Sequence, residues 1–226
     1  MNTAKNNPTP GFDDVDLKAK TTVFDGFFKI NKYTVQHRKF SGEMGGDVER
    51  ELFERGDAAV VLPYDPVTDE VVLIEQFRIG AYSCALRLGE QQNVQQSVQQ
   101  NSGEKDSPWL IECIAGMIDK GQSPQEVAVR EAVEEADVEL TDLKFVMKFF
   151  PSPGGMSELM YLYVAKVDST TAQGIHGLPG ENEDIRVLRV KREQAFEWLD
   201  EGLITNGPTV IALQWLQLNL EKWLTE

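Results

Sequence analysis

The sequence contains few residues of the kinds that form disulfide frameworks and zinc sites. It has two cysteines, Cys84 and Cys113, and two histidines, His37 and His176. Two cysteines cannot build a disulfide framework, and none of the four residues stands at the spacing of a zinc site. We therefore exclude a disulfide-stabilised secreted domain and a structural zinc domain, and we predict reduced thiols in a cytoplasmic protein.

Long apolar runs and targeting signals are also absent. Residues 1–20 are polar and lack an apolar core segment, so they do not resemble a signal peptide. No uninterrupted apolar run approaches the ~18 residues that a membrane-spanning helix requires. We expect neither a membrane anchor nor a membrane partner.

Basic residues are scarce relative to acidic ones. The chain has 22 Lys and Arg against 37 Asp and Glu, which gives a formal net charge of −15. This charge repels nucleic acid and anionic membranes over long range, so we predict that neither is a partner. A phosphate-bearing ligand would need local arginines or bound cations.

The composition is otherwise that of a globular protein, with 41% hydrophobic and 26% charged residues in 226 positions. Apolar alternation and helical periodicity follow one another along the chain, which predicts an α/β sandwich. The predicted strands lie within 21–40, 58–64, 71–76, 109–115, 145–150, 160–167 and 185–190, and the predicted helices within 123–137, 192–201 and 208–223.

Two regions depart from this pattern. The strands within residues 21–40 are too few to be stable alone, so we expect them to pack on the rest of the chain or on another subunit. Residues 89–107 are rich in Gln, Asn and Ser, and we predict a flexible insert there.

Three glutamates, Glu131, Glu134 and Glu135, stand at helical spacing i, i+3 and i+4 after a capping box at Ser123. Their carboxylates project from one face of a single turn, where they repel one another unless a cation is bound. Clustered oxygen ligands suit Mg²⁺ or Mn²⁺. The alternative is a solvated acidic helix face.

The surrounding stretch resembles the Nudix box, in which Gly, a Glu and an Arg-Glu-apolar-any-Glu-Glu run stand at fixed spacing. Two positions differ, because Gln122 replaces the first Glu and Asp137 replaces a Gly. Gln can still accept a hydrogen bond, and Asp tolerates a positive φ better than most residues. The matching positions are Gly116, Arg130, Glu131, Ala132, Glu134, Glu135 and Val138.

A second resemblance, in residues 152–158, is to a loop of the bacterial Nudix enzymes that act on ADP-ribose. In those enzymes the loop carries a Glu that positions or deprotonates the attacking water, and Glu158 stands at that place. Gly154 and Gly155 would let the loop move over a ligand. The alternative is a simple turn with an incidental Glu.

The resemblance covers about residues 24–218 and implies a fold. It predicts a Nudix-type α/β/α sandwich with a mixed sheet over residues 56–226, which includes the insert. It also implies a small antiparallel β subdomain over residues 1–55, exchanged between the subunits of a homodimer.

Site residues follow from the same resemblance. It implies that Glu131, Glu134, Glu135 and the carbonyl of Ala115 hold the metal, with Glu158 as general base and Glu134 as an alternative base. It also implies that Arg55 and Arg78 bind phosphates, that Phe28 stacks on adenine and that Glu112 lines the site. The alternatives are surface ion pairs for the arginines, a core position for Phe28 and an outward strand position for Glu112.

The implied activity is Mg²⁺-dependent hydrolysis of ADP-ribose to AMP and ribose 5-phosphate. Because the box specifies the diphosphate linkage and not the flanking groups, an ADP-sugar or a dinucleotide stays an alternative substrate. A sensor that binds ADP-ribose without cleaving it is an alternative from another class, which Gln122 and Asp137 motivate.

Overall fold

The computed structural model describes residues 10–94, 107–178, 180 and 182–225. The chain divides into two compact units. The first unit contains residues 1–56 and 152–158, and the second contains residues 57–151 and 159–226. Within the described ranges, no helix has the length and apolar character needed to cross a membrane.

The first unit is a three-stranded antiparallel sheet. After a short 3₁₀ turn at Phe12–Asp14, the strands are β1 (Val15–Asp25), β2 (Lys29–His37) and β3 (Val48–Glu54), in the order β1-β2-β3. Every residue of β1 is exposed, and within the described residues β1 pairs with β2 on one side only. The first unit therefore presents an open strand edge.

Residues 152–158 join the first unit through its third strand. The N–H of Phe53 donates to the carbonyl of Gly155 at 2.9 Å, and the N–H of Ser157 donates to the carbonyl of Phe53 at 3.2 Å. These bonds make a short parallel bridge between Phe53 and Met156. The Pro-Gly-Gly loop is thus tied to β3 by its backbone.

The second unit is an eight-stranded mixed sheet with helices. Its sheet order is β10-β11-β5-β4-β9-β8, with β6 paired to β5 and β7 paired to β4, and the β4 and β9 pair is parallel. The strands are β4 (Ala58–Asp65), β5 (Glu70–Phe77), β6 (Trp109–Glu112), β7 (Ile114–Met117), β8 (Thr141–Phe149), β9 (Met160–Lys166), β10 (Ile175–His176) and β11 (Ile185–Lys191). The helices are α1 (Ile79–Val94), α2 (Pro124–Ala136), α3 (Arg192–Asp200) and α4 (Gly207–Thr225).

Alternation along the buried central strand β4 creates the two core layers. Ala59 and Val61 face one cluster, which also contains buried residues of α2. Val60 and Leu62 face the other cluster, which contains buried residues of α3 and α4. Each fully buried aliphatic side chain contributes roughly 1.5–3 kcal/mol by leaving water. The predicted sandwich with a mixed sheet, and the separate antiparallel N-terminal sheet, are confirmed.

The structure differs from the predicted elements in several places, which include the unpredicted strands β3 and β10. Helix α1 was not predicted, and it extends to Val94, into the stretch that composition indicated as a loop. Its two glycines, Gly80 and Gly89, weaken the helical pattern. Residues 95–106 lie outside the described residues. The single strand predicted at 109–115 is two strands separated at Cys113, whose N–H donates instead to the hydroxyl of Thr209 at 2.8 Å.

Candidate active site

The glutamate helix α2 begins where the capping box predicts. The hydroxyl of Ser123 accepts from the N–H of Glu126, and the Glu126 carboxylate accepts from the N–H of Ser123 at 2.8 Å. The helix ends at Asp137, which adopts a left-handed conformation with φ 51° and ψ 43°. The side-chain oxygen of Gln122 accepts from the N–H of Asp119 at 3.2 Å. Both replaced positions of the motif therefore keep a defined local role.

Glu135 lies deepest of the three helix glutamates. Its side chain is 3% exposed, and its Oε2 accepts from the N–H of Ala115 on β7 at 3.0 Å. Burial raises the pKa of Glu135 to about 8; the Ala115 N–H opposes this rise, and the charge of Glu131 adds to it. Burial therefore favours the protonated form of this carboxyl group, and a bound cation would compete with the proton.

Glu131 lies against the backbone of β7 as well. A β-carbon at Gly116 would stand 1.7 Å from Oε1 of Glu131, so this approach requires glycine. Burial raises the pKa of Glu131 to about 7, with Arg130 opposing the rise and Glu134 adding to it. Gly116 and Glu131, the first of the three clustered glutamates, thus form one close contact.

Arg130 neutralises two of the three glutamates. Its Nη1 lies 2.5 Å from Oε2 of Glu134, and its Nη2 lies 2.8 Å from Oε1 of Glu131. Its Nε is buried without a hydrogen-bond partner in the described part of the chain. In this arrangement the described residues contain no group of three or more His, Cys, Asp or Glu side chains placed to hold a metal ion.

A fourth carboxylate, that of Glu183, acts electrostatically on Glu131 and Glu135. The sequence analysis did not identify it as a site residue. Its charge contributes to the raised pKa values of Glu131 and Glu135. It lies in the loop before β11, where its carboxylate accepts from the N–H of Leu178 at 3.1 Å. Glu183 can be recognised as a site residue only from its position in the structure, because its loop carries no motif that the sequence analysis used.

Arg78 and Glu112 form an ion pair in the second unit. Arg78 follows β5, and its Nε and Nη2 lie 2.9 and 2.6 Å from Oε2 of Glu112. Glu112 is 3% exposed, whereas the Arg78 side chain is 43% exposed. Burial opposes the charged form of Arg78, but the bond to Glu112 outweighs it and, with the nearby charge of Glu135, raises the arginine pKa.

The predicted residues of the first unit also meet one another. The Nε of Arg55 lies 3.3 Å from Oε1 of Glu158, which is 3% exposed. The Arg55 guanidinium lies 5.7 Å from the ring centroid of Phe28, whose ring packs edge-on against Phe53 at 5.0 Å. The structure therefore brings Phe28, Arg55 and Glu158 together, with the arginine between a ring and a carboxylate.

The comparisons with known proteins decide the family. The NUDIX domain family matches residues 54–210 of this chain. The chain belongs to the Nudix family.

Among Nudix proteins, several curated relatives align over nearly the whole chain. It is 50% identical over 211 residues to an ADP-ribose pyrophosphatase of Escherichia coli strain K12, covering 93% of this chain and 91% of the relative. It is 44% identical to an ADP-ribose pyrophosphatase of Haemophilus influenzae, covering 91% and 87%. It is 32% identical to a GDP-mannose pyrophosphatase of Enterobacter sp. strain 638, covering 91% and 96%.

A solved structure agrees with the Nudix fold. The structure described as an ADP compounds hydrolase superposes with a TM-score of 0.65, covering 95% of this chain and 98% of the other. Its sequence identity is 19%, so the likeness concerns the fold. This Nudix chain is therefore a hydrolase by family, and the residues of its box lie on β7 and α2.

Proposed function

We propose that this protein hydrolyses the diphosphate bond of ADP-ribose and releases AMP and ribose 5-phosphate, with Mg²⁺ as its cofactor. The observation that carries the proposal is the pair of carboxyl groups of Glu131 and Glu135, held together against the β7 backbone. The alignments with relatives named ADP-ribose pyrophosphatase, which cover about nine tenths of each chain, support the same substrate.

The side chains around α2 fit a divalent cation. Two carboxyl groups with raised pKa values would release their protons when a metal binds, and Arg130 would have to yield the oxygens of Glu131 and Glu134 that it now contacts. We propose that Glu131, Glu134, Glu135 and the Ala115 carbonyl hold Mg²⁺, with Mn²⁺ as a substitute. When bound, the metal would offset the charge of the diphosphate and lower the pKa of a coordinated water.

The chain's own residues would then hold the substrate and move the proton. We propose that Arg78 and Arg55 bind phosphate oxygens, Glu112 orients Arg78, and Phe28 stacks on the adenine ring. Glu158 is our proposed general base, and Glu134 is the alternative base. Because Glu158 pairs with Arg55, phosphate binding by Arg55 would free the carboxylate oxygen for a proton.

A homodimer is the oligomeric state that we propose. The edge strand β1 carries four apolar side chains that are 48–59% exposed, and no described strand pairs with its outer edge. These residues are Val15, Leu17, Val23 and Phe24. Light scattering should give about twice the chain mass of 25.4 kDa; a monomer would contradict the proposal. The cytoplasmic location and the absence of a nucleic acid partner stay predictions.

The test is release of AMP from ADP-ribose by the purified 226-residue protein, with Mg²⁺ and with chelator. ADP-glucose, a dinucleotide and GDP-mannose are assayed in parallel. We expect turnover that requires the metal and favours ADP-ribose by kcat/KM. Turnover that persists after complete chelation would contradict the metal assignment.

Two other functions have specific support. The relative named GDP-mannose pyrophosphatase favours another nucleoside diphosphate sugar as substrate, and a higher kcat/KM for GDP-mannose or ADP-glucose would establish that alternative. The replacements at Gln122 and Asp137 motivate a sensor, which would bind ADP-ribose tightly in Mg²⁺ without releasing AMP.

A further inference from the structure

The Arg78 guanidinium is held from one side only. Its Nε and Nη2 both donate to a single oxygen, Oε2 of Glu112, at 2.9 and 2.6 Å. In the described chain no hydrogen bond involves its Nη1, and the side chain is partly exposed. An arginine bound along one edge presents its other edge to a ligand, and guanidinium edges bind phosphate oxygens in pairs.

The position of Arg78 therefore depends on how firmly Glu112 is held. Glu112 is almost fully buried, and a buried carboxylate is stable only when both oxygens have partners. Arg78 supplies the partner for Oε2. The partner for Oε1 is the amide of Asn206, which lies 94 positions further along the chain. Its Nδ2 donates to Oε1 at 2.9 Å.

Asn206 is itself fixed in orientation. It precedes α4, and its Oδ1 accepts from the N–H of Thr209 at 3.1 Å and from the Thr209 hydroxyl at 2.8 Å. Its carbonyl accepts from the N–H of Val210 at 2.9 Å. Because the amide oxygen is occupied by two donors, the NH₂ group must point to Glu112.

Thr209 anchors the other end of this chain of hydrogen bonds. It is fully buried, and its hydroxyl accepts from the N–H of Cys113, the residue that separates β6 from β7. The start of α4 is thereby tied to the residue after Glu112. The cap of α4 and the carboxylate behind Arg78 are parts of one rigid network.

We infer that Asn206 is a positioning residue of the active site, whose amide holds Glu112 so that Arg78 presents its free edge to the substrate diphosphate. This inference rests on the proposed function, since it takes Arg78 as a phosphate ligand. An amide is required here because one group must accept from the helix and donate to a carboxylate. Aspartate caps a helix equally well but cannot donate.

The test is the substitution Asn206→Asp. The cap of α4 remains, but a carboxylate now faces the buried carboxylate of Glu112, and the repulsion displaces Glu112 and Arg78. We expect KM for ADP-ribose to rise about tenfold or more, which is the size of one hydrogen bond to a charged group. We expect kcat to change less than about threefold, because the helix glutamates are untouched.

Asn219→Asp is the matched control. It makes the same chemical change on the same helix, where the Asn219 amide donates to the carbonyl of Trp215 at 2.8 Å. We expect its KM to equal that of the wild-type protein. Asn206→Asp is also measured in an Arg78→Ala background, where it should change KM less than about twofold. A purely structural role would give the same loss in both backgrounds.

The outcomes separate the inference from the proposed function. If the wild-type protein releases AMP and Asn206→Asp leaves KM within twofold, the inference is wrong and the function stands. If the wild-type protein binds ADP-ribose without cleaving it, the hydrolase proposal is wrong, and the calorimetric Kd replaces KM in the same comparison. An unchanged Kd then overturns the inference, and a wild-type protein that neither binds nor cleaves ADP-ribose overturns both.

Discussion

Asp65 and Glu135 are almost equally inaccessible to solvent in the second unit, at 2% and 3% exposure, but their pKa values move in opposite directions. Burial opposes ionisation of both. At Asp65 the N–H groups of Ser169, Val67 and Thr68 outweigh burial and lower the pKa to about 2. Glu135 receives one N–H, from Ala115, and its pKa rises to about 8.

Both the number of donors and the depth of the carboxyl group in the protein separate these two sites. Asp65 closes the β4–β5 hairpin and has enough donors to stay ionised without a metal. Glu135 is short of donors and lies among other carboxylates, so its ionised form needs a cation. A buried carboxylate with few donors is a candidate ligand, and one with many donors is part of the structure.

The largest effect is expected from Glu135→Gln. The amide oxygen can still accept from Ala115, so the fold should persist, but a ligand charge is lost, and turnover should fall on the order of 10²–10³-fold. The measurement is kcat/KM for ADP-ribose at saturating Mg²⁺. Glu139→Gln, an exposed change just beyond the same helix, should leave the rate unchanged, and near-normal turnover in Glu135→Gln would refute the metal site.

Gly116→Ala displaces the Glu131 carboxylate without removing its charge. The added β-carbon would meet Oε1 of Glu131 at 1.7 Å, so the carboxylate must move. We expect a loss of about 1–3 kcal/mol in the free energy of unfolding and a higher Mg²⁺ requirement. Gly46→Ala is the control, because nothing lies within 4 Å of that site, and equal effects in both variants would exclude the close contact.

Asp65→Asn tests whether the buried carboxylate with many donors serves the stability of the fold. An amide presents one acceptor oxygen where the carboxylate uses two, so at least one buried N–H loses its partner. We expect a loss of about 1–3 kcal/mol in stability by denaturant unfolding, with the kcat of the folded fraction unchanged. Lost activity in fully folded protein would mean that Asp65 also serves the site.

The smallest effect is expected from pH alone, in the metal-free protein. The folded pKa of Glu135 lies above its ordinary value of 4.5, so its stabilising contribution is complete below about pH 4.5 and is lost as pH rises toward 8. The melting temperature should therefore fall by a few degrees between pH 5.5 and 8. Glu135→Gln should reduce this slope, of which Glu131, with its own raised pKa, keeps a part, and a wild-type slope of opposite sign would contradict the raised pKa values.

Local features of this protein could be predicted from its sequence. The start of α2 follows from Ser123 and Glu126, and the positive φ at Asp137 follows from a residue that tolerates it; both predictions are confirmed. Strands β4 and β5 follow from their apolar runs. In each case the deciding interactions lie within a few residues of one another.

Features that depend on distant contacts could not be predicted. Glu183 influences the glutamate helix from a loop about 50 positions later, and Asn206 reaches Glu112 across 94 positions. No periodicity relates such residues, because the sheet order brings them together. The family resemblance predicted Arg55, Arg78 and Glu158 as site residues. It could not predict that each arginine forms an ion pair with a buried glutamate.

The first unit is discontinuous in the chain, because residues 152–158 bridge to Phe53 only after the whole of 57–151. During synthesis at 5–20 residues per second, residues 152–158 are therefore made roughly 5–20 s after the strand β3 with which they pair. Over that interval the growing chain exposes a strand with unsatisfied amide and carbonyl groups. A ribosome-bound chain whose emerged part ends before residue 152 should accordingly recruit holding chaperones more strongly than one from which residue 158 has already emerged.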